Sequence, residues 1–318
     1  MKTSKLGGNL EVSAIGVGCM GLSHAEGAPA EEGEAIRFLR EAVEVGYTFF
    51  DTAETYGFPE DPHHNEKLVG KAFEGMRDQV VIASKFGVAF DYAAGLDRHP
   101  LIVDSKPETI RSSIEGTLRR LRTDHVDMYY QHRIDPEVEP EVVAETVGEL
   151  IAEGKVLNWG ISTVGEEYLR RANAVTPVAA VENMYNLTDR SQEQLFGVFD
   201  ELGIGLVVHC PLAKGLLTGT FAKGTTFEAG DYRAFMVNDE SIDRTAELVG
   251  YLRELGEEKG ATPGQLSLAW LLAKRPYIVP SPGMRKASRL AENAGAADVV
   301  LTAGEVARID ALSAPLQA

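Results

Sequence analysis

Eight short apolar runs recur along this chain, each separated from the next by an amphipathic stretch long enough to form a helix. They are Ile15–Cys19, Tyr47–Asp51, Val80–Lys85, Val126–His132, Val156–Ile161, Val178–Glu182, Gly205–His209 and Tyr277–Pro280. The runs are apolar nearly throughout rather than alternating, as a strand buried on both faces requires. Helical periodicity fills the gaps: after Ser105, residues Ile110, Ile114, Leu118 and Leu121 fall on one helix face. Ser105 with Glu108 reads as a capping box with Pro107 in the first turn, and Thr262-Pro263-Gly264-Gln265 repeats the device before Leu266–Leu272. This alternation predicts an α/β protein, a parallel sheet closed into a (β/α)8 TIM barrel as one domain over residues 1–318. An open doubly wound sheet is the competing arrangement. A hairpin turning at Gly7-Gly8-Asn9 precedes the first strand. The longest connection lies between strands seven and eight. It holds the Gly/Thr-rich stretch Gly215–Gly230 and an extra helix around Asp243–Lys259, and a loop of that length is expected at the functional face.

Charge narrows the partners. Across 318 residues, 48 Asp and Glu face 31 Lys and Arg, a net charge of −17. Such a field repels nucleic acid and anionic membrane surfaces, so neither is expected as a partner. A small anionic ligand remains compatible, because a local cationic cluster outweighs the global field within a Debye length of ~8 Å. The only cysteines, Cys19 and Cys210, suggest no disulfide framework. No signal peptide and no membrane-spanning apolar run is visible, so a cytoplasmic protein is expected. The sequence offers no reading of oligomeric state.

One motif misleads. Gly16-Val17-Gly18-Cys19-Met20-Gly21 matches the G-x-G-x-x-G dinucleotide fingerprint. That motif needs a helix opening inside the glycines, whereas Leu22–Pro29 follows here and helical periodicity starts near Glu31. The Rossmann interpretation is rejected, and the glycines are read as a tight turn at the mouth of the first strand.

Three apolar strands end in an ionisable residue: Asp51, Lys85 and His132, with Tyr56 five residues past Asp51. A barrel gathers the C-terminal ends of its strands at one mouth. Singly, each residue reads as an ordinary solvated strand end or a packing aromatic. Together they suit proton donation to a carbonyl. A phenol of pKa ~10 is a weak acid near neutrality, and an adjacent ammonium makes it stronger. A carboxylate keeps that ammonium charged and fixed, and an imidazole can hydrogen-bond the carbonyl oxygen. No side chain supplies a hydride, so reduction requires a cofactor. Near the C-terminus, Pro282 and Gly283 precede Arg285, Lys286 and Arg289, then Glu292 and Asn293, at the start of a helical pattern. Cations at a helix N-terminus suit a phosphate monoester. Cys210–Leu216, just past strand seven, is a second phosphate candidate.

These residues sit in ordered motifs: FFDTAETYG (49–57), ASKFG (83–87), DMYYQHRIDP (127–136), GKVLNWGIS (154–162), CPLAKGLLTG (210–219) and SPGMRKASRLAEN (281–293). The chain thereby resembles the aldo/keto reductases from about Leu6 to Leu312, specifically the bacterial and fungal branch with an IPGTTK-like C-terminal motif. The resemblance implies an NADPH-dependent oxidoreductase reducing small aldehydes or ketones, with NADP(H) bound without a Rossmann fold. It implies Tyr56 as proton donor, Lys85 and Asp51 as its tuning pair, and His132 as the group orienting the carbonyl. It places Ser162, Thr163, Glu182 and His209 around the nicotinamide and Cys210, Pro211, Leu212, Lys214, Gly215 and Leu216 on the pyrophosphate, with Gly18, Met20 and Asp51 as further cofactor-binding residues. Arg285, Lys286 and Arg289 would hold the 2′-phosphate and adenine, with Glu292 and Asn293 at the adenine edge and Pro282 and Gly283 as further cofactor-binding residues.

Thr163 stands where Asn is frequent, Glu182 where Gln usually contacts the carboxamide, and His209 where Tyr or Phe is usual, which predicts pH-sensitive stacking. Met20, Phe58, Phe86, Phe90 and Tyr92, with His132, are candidate walls of a substrate pocket. No metal site is read from the sequence. Two alternatives stay open: a Schiff-base lyase with Lys85 as nucleophile, and a cofactor-occupied regulatory or redox-sensing barrel without significant turnover.

Overall fold

The computed structural model describes residues 1–94, 100–228 and 231–317. Strands β1 (Thr3–Leu6) and β2 (Leu10–Ser13) pair antiparallel through a turn in which Gly7 and Gly8 have φ of +56° and +79°, the region glycine enters most readily. The chain then runs β3 (Val17–Gly18), α1 (Glu32–Val45), β4 (Phe49–Asp51), α2 (His64–Phe73) and β5 (Val81–Phe86). A second hairpin follows, β6 (Val88–Phe90) and β7 (Leu101–Val103). Next come α3 (Pro107–Leu121), β8 (Met128–Gln131), α4 (Pro140–Ala152), β9 (Trp159–Ser162), α5 (Glu166–Val175), β10 (Ala180–Met184), α6 (Phe196–Leu202) and β11 (Gly205–His209). Helices α7 (Asp239–Lys259) and α8 (Pro263–Lys274) precede β12 (Ile278–Pro280), and α9 (Ala287–Gly295) and α10 (Ala303–Ser313) complete the fold.

Strands β3, β4, β5, β8, β9, β10, β11 and β12 lie side by side in that order, all parallel. The first and last meet where Gly16 N donates to Pro280 O at 2.8 Å and Gly18 N to Pro282 O at 3.0 Å, which closes the (β/α)8 barrel. A Cβ on Gly18 would stand 3.1 Å from Ser281 O and 3.3 Å from Gly283 N, so the G-x-G-x-x-G run serves this closure. Only a 3-10 turn, Met20–Leu22, overlaps the end of the run, so no α-helix opens inside the glycines.

Two apolar layers hold the barrel. Phe49, Ala83, Met128, Tyr130, Ala180, Val207 and Val279 fill its interior, plugged by Leu6 and Val12 of the N-terminal hairpin. A larger cluster, including Leu39, Ile82, Ile114, Trp159, Val181 and Leu206, joins the sheet to its helices.

Several local expectations are corrected. Ser105 does not cap α3: the N-cap is Lys106, with Pro107 in the first turn. Ser105 N instead donates to Asp135 Oδ2 at 2.8 Å, and its hydroxyl accepts from Gln131 Nε2, because a neighbouring strand end offers closer partners. Helix α7 begins four residues earlier than expected, at a capping box formed by Asn238 and Ser241. Thr262 and Gln265 form the expected box on α8. Gly230, the end assigned to the long loop, lies outside the described residues.

Helices α2 and α3 touch backbone to backbone. A methyl on Gly70 would lie 2.3 Å from Arg120 O and 2.8 Å from Leu121 Cα. Alanine favours a helix over glycine by about 1 kcal/mol, but overpacking a tight contact costs about 1–3 kcal/mol, and here backbone must yield. Gly70→Ala is therefore expected to lower the urea midpoint at unchanged slope. A midpoint at or above that of the parent chain would show that the two helices can separate freely.

Candidate active site

Side chains two apart on a strand share a face. The interior residues Phe49, Ala83, Tyr130, Ala180, Val207 and Val279 are each followed, two positions on, by Asp51, Lys85, His132, Glu182, His209 and Ser281. The strand period thus stacks a polar layer directly above the apolar plug, at the C-terminal mouth. Ser162 joins it two positions after Gly160, whose missing Cβ leaves room for the Tyr130 ring.

Lys85, fully buried, is the hub of this layer. Its Nζ donates to Asp51 Oδ1 at 2.6 Å, Asp51 Oδ2 at 2.7 Å and Thr52 O at 2.9 Å. Glu182 Oε2 lies 3.4 Å from the same nitrogen. The Tyr56 ring centroid is 4.9 Å from Nζ and 5.7 Å from the edge-on His132 ring. The Tyr56 segment is pinned: its carbonyl accepts from Ser23 Oγ at 2.7 Å and from Asn65 N at 3.2 Å. His24 stacks beside it at 6.0 Å, its Nδ1 2.5 Å from Gly57 O, which makes that nitrogen the donor.

Burial alone would strip Lys85 of its proton, but Asp51, Glu182 and Tyr56 outweigh that and hold it charged, above its ordinary range. For Tyr56, burial pushes the phenol up and Lys85 pulls against it, while Asp51 and Glu182 add to the rise. The expected acidifying pull of Lys85 is present, yet burial outweighs it, so the phenol stays protonated. Burial also drives His132 well below its ordinary value, with Lys85 and Arg133 adding to the fall, so its ring is neutral. His209 falls to about 3 for the same first reason, with Arg133 next. Its expected pH sensitivity is therefore corrected: a ring titrating near 3 is neutral throughout the working range.

A cavity of about 470 Å³ runs from this cluster along the mouth. Tyr56, His132, Ser162, Glu182 and His209 line one end, Cys210 to Leu212 with Lys214 and Gly215 its side, and Pro282, Gly283, Arg289 and Asn293 the other end. Gly18, Met20 and Asp51 also reach it. Among the described residues, five buried side-chain polar atoms lack a hydrogen-bond partner, and three of them, His132 Nδ1, Glu182 Oε2 and Ser281 Oγ, belong to its walls. Such atoms are rare in folded proteins, and together they ask for a ligand. Left-handed backbone at non-glycine positions also gathers here: Thr163, Cys210, Ala213 and Lys214, with φ of +47° to +57°. Unpartnered polar atoms at one end and the cations Lys214 and Arg289 farther along fit an elongated phosphorylated cofactor.

Not every expected residue reaches this wall. Phe86 is corrected to the core. It lies one position past Lys85, so it faces the helices and packs on Tyr129 at 4.9 Å. Phe58 packs against His64, Phe90 sits edge-on to His24, and Tyr92 donates its hydroxyl to Pro59 O at 2.8 Å. None of these four lines the cavity. Leu216 is buried in the core. Arg285 donates to Glu26 O at 2.6 Å and Ala28 O at 2.8 Å, tying a loop rather than facing the cavity. Lys286, the exposed N-cap of α9, also lies off the wall. Glu292 pairs with Arg289 and accepts from Thr262 Oγ1 at 2.9 Å. Thr163 N donates to Glu182 O at 3.1 Å.

Sequence reasoning missed His24, Glu26, Leu101, Arg133, Phe221, Tyr232 and Ser281, all of which line the cavity. Ser281 was findable from the strand period and Arg133 from its place beside His132. Of the others, Leu101 opens the three-residue strand β7, and His24, Glu26, Phe221 and Tyr232 belong to connections too short or irregular to carry a periodic signal. Two of these loops meet across the mouth, where Tyr232 N donates to Ala25 O at 2.8 Å and Lys214 Nζ lies 3.6 Å from Glu26 Oε1.

Comparison with known proteins agrees with this architecture. The profile of the aldo/keto reductase family matches residues 14–314. The chain is 37% identical over 305 residues to the probable aldo-keto reductase 1 of Glycine max, covering 94% of this chain and 85% of that protein. It is 34% identical over 326 residues to the aldo-keto reductase str7 of Strobilurus tenacellus, covering 98% and 92%. Among solved structures, the glycerol dehydrogenase of Gluconobacter oxydans superposes with a TM-score of 0.87 at 25% identity, covering 98% of this chain and 95% of that one. An aldo/keto reductase of Klebsiella pneumoniae, solved with NADP and acetate, superposes with a TM-score of 0.72 at 27% identity over 98% and 95%. With a closed (β/α)8 barrel, a polar layer at its mouth and a family match over nearly its whole length, the chain belongs to the aldo/keto reductase family of oxidoreductases.

Proposed function

We propose that this protein reduces small aldehydes or ketones to alcohols with NADPH, using Tyr56 as the proton donor. The reading rests on one cluster: a lysine bound to both oxygens of Asp51, with the Tyr56 and His132 rings next to it at the end of a long cavity. Tyr56 is protonated and set beside a permanent positive charge. As an alkoxide forms on a carbonyl at the mouth, the phenol gives up its proton, and Lys85 stabilises the phenolate left behind. Asp51 keeps Lys85 charged and fixed throughout. His132, neutral and with Nδ1 unpartnered, provides a hydrogen-bonding group for the carbonyl oxygen. When bound, the nicotinamide supplies the hydride, which no side chain can provide. Ser162, Glu182 and His209 would hold its ring, Lys214 the pyrophosphate, and Arg289 and Asn293 the phosphorylated adenosine. A Schiff-base lyase would need Lys85 as a free amine, and Asp51, hydrogen-bonded through both oxygens, holds it protonated instead.

A panel of aldehydes and ketones, followed by loss of NADPH absorbance, tests the activity. Tyr56→Phe is expected to lower kcat by about 10²–10⁴-fold, the range for losing a positioned acid, while NADPH titration stays near that of the parent. Undiminished turnover in that variant would remove Tyr56 from the proton-donor role.

Arg289 tests the cofactor assignment separately. Arg289→Ala is expected to weaken NADPH by about tenfold or more and NADH by much less, since a charge-assisted contact to a phosphate is worth about 1.5–3 kcal/mol. Equal losses, read by fluorescence titration of both cofactors, would mean that Arg289 does not meet the extra phosphate.

A further inference from the structure

We infer that Glu182 holds the spare proton of the buried polar layer, and that its ionisation selects the oxidised over the reduced form of a nicotinamide cofactor. The inference rests on the proposed use of NADP(H), which it deepens.

Charge counting around Lys85 carries most of the case. Two carboxyl groups, on Asp51 and Glu182, are 5% and 2% exposed, and both reach one ammonium. One carboxylate balances that ammonium. A second would leave a net negative charge in a water-poor site, which is costly unless paired. The geometry decides which carboxyl takes the proton. Asp51 places both oxygens within 2.7 Å of Nζ, whereas Glu182 has one oxygen at 3.4 Å and makes no hydrogen bond through it. The weaker partner keeps the proton.

The surroundings offer no competing acceptor. From β4 comes Asp51, already committed, and from β5 the charged Lys85. From β8 comes the buried, unpartnered Tyr130 hydroxyl, and just beyond that strand the neutral His132 and exposed Arg133. Arg133 donates to His132 O at 2.7 Å and reaches Ser162 Oγ at 3.4 Å, so its charge is held at the solvent edge. On β9 the register partner is Ser162, and on β11 it is Val207, with neutral His209 and then Cys210 farther along. Tyr56 stays protonated. Burial raises both carboxyls. At Asp51 the two short hydrogen bonds from Lys85 oppose that rise and mark it as the ionised partner, while at Glu182 burial, reinforced by Asp51, pushes the carboxyl up to about 8.

A side-chain amide at this position donates from nitrogen and accepts at oxygen in every state. A protonated carboxyl likewise offers one donor and one acceptor, but it can lose the donor. The sign follows from charge. Below about 8 Glu182 is neutral and exerts no charge preference. Above that it becomes a carboxylate, the proton passing to solvent, and it then attracts the cationic oxidised ring while gaining nothing from the neutral reduced ring. The ratio of Kd for NADP+ to Kd for NADPH should therefore fall as pH rises. The 2′-phosphate is common to both cofactors, so its own titration cancels in the ratio.

The test titrates NADP+ and NADPH into the protein by calorimetry or fluorescence quenching at several pH values, for the parent chain and for Glu182→Gln. In the parent the ratio is expected to fall by about tenfold between about pH 6.5 and about pH 9.5, the factor of one pKa unit, and in Glu182→Gln to stay flat. A flat ratio in the parent, or the parent's slope in Glu182→Gln, overturns the inference. If the parent binds neither cofactor, the proposed function fails instead, and the two failures are distinguishable. A second measurement needs no cofactor: infrared difference spectra of the free protein between those pH values should show a carboxylic acid carbonyl band that disappears at high pH and is missing in Glu182→Gln. A parent lacking that band at the lower pH also overturns the inference.

Discussion

A fully buried ammonium is among the most expensive groups a protein can carry, and it persists only where carboxylates surround it. Lys85 sits in that position at the barrel mouth, with Asp51 on two of its hydrogens and the Thr52 carbonyl on the third. Much of the local structure serves this arrangement. Asp51 must end β4 with its side chain inward, and Lys85 must lie two residues past Ala83 so that it rises from the same face. Removing either partner would leave the other charged and alone in an apolar barrel. That dependence ties the stability of the mouth to its electrostatics, since the charge that opposes the effect of burial on the Tyr56 phenol is the one the strands are built to hold.

The fold was largely legible because parallel barrel strands are buried on both sides and read as continuous apolar runs. All eight anticipated runs overlap a barrel strand, and the N-terminal hairpin turns at its glycines. Less legible was the hairpin of Val88–Phe90 with Leu101–Val103, whose three-residue strands are too short for a period to register. The start of α3 misled for a different reason. Ser105 has the right chemistry for a cap, but Asp135 and Gln131 reach it from a neighbouring strand end, and a single sequence does not reveal such a partner.

Within the site, parity was the signal left unused. Lys85 and Phe86 are adjacent, so one faces the barrel interior and the other the helices, and only the first can meet a ligand. The same rule places Glu182 and Ser281 in the polar layer. It fails past the strand ends, where the cationic segment 285–289 shows the difficulty. Arg285 ties down a loop, Lys286 stands exposed at the N-cap position of α9, and Arg289 faces the cavity. Residue type is nearly constant there while role changes with each turn of backbone.

The layer and the loops around it divide two physical tasks. Strand ends supply rigidity: Asp51, Lys85 and Glu182 are positioned by backbone that is hydrogen-bonded on both sides. The loops after β9 and β11 instead hold Thr163, Cys210, Ala213 and Lys214 in left-handed backbone, each at a cost of about 1–3 kcal/mol. Such strain survives only when the frame beneath it is stable enough to impose it. The closed sheet provides that frame, because a barrel has no free edge through which its strands can relax. Loop strain and the buried charges of the mouth thus draw on one source of stability, the apolar plug from Phe49 to Val279 directly beneath them.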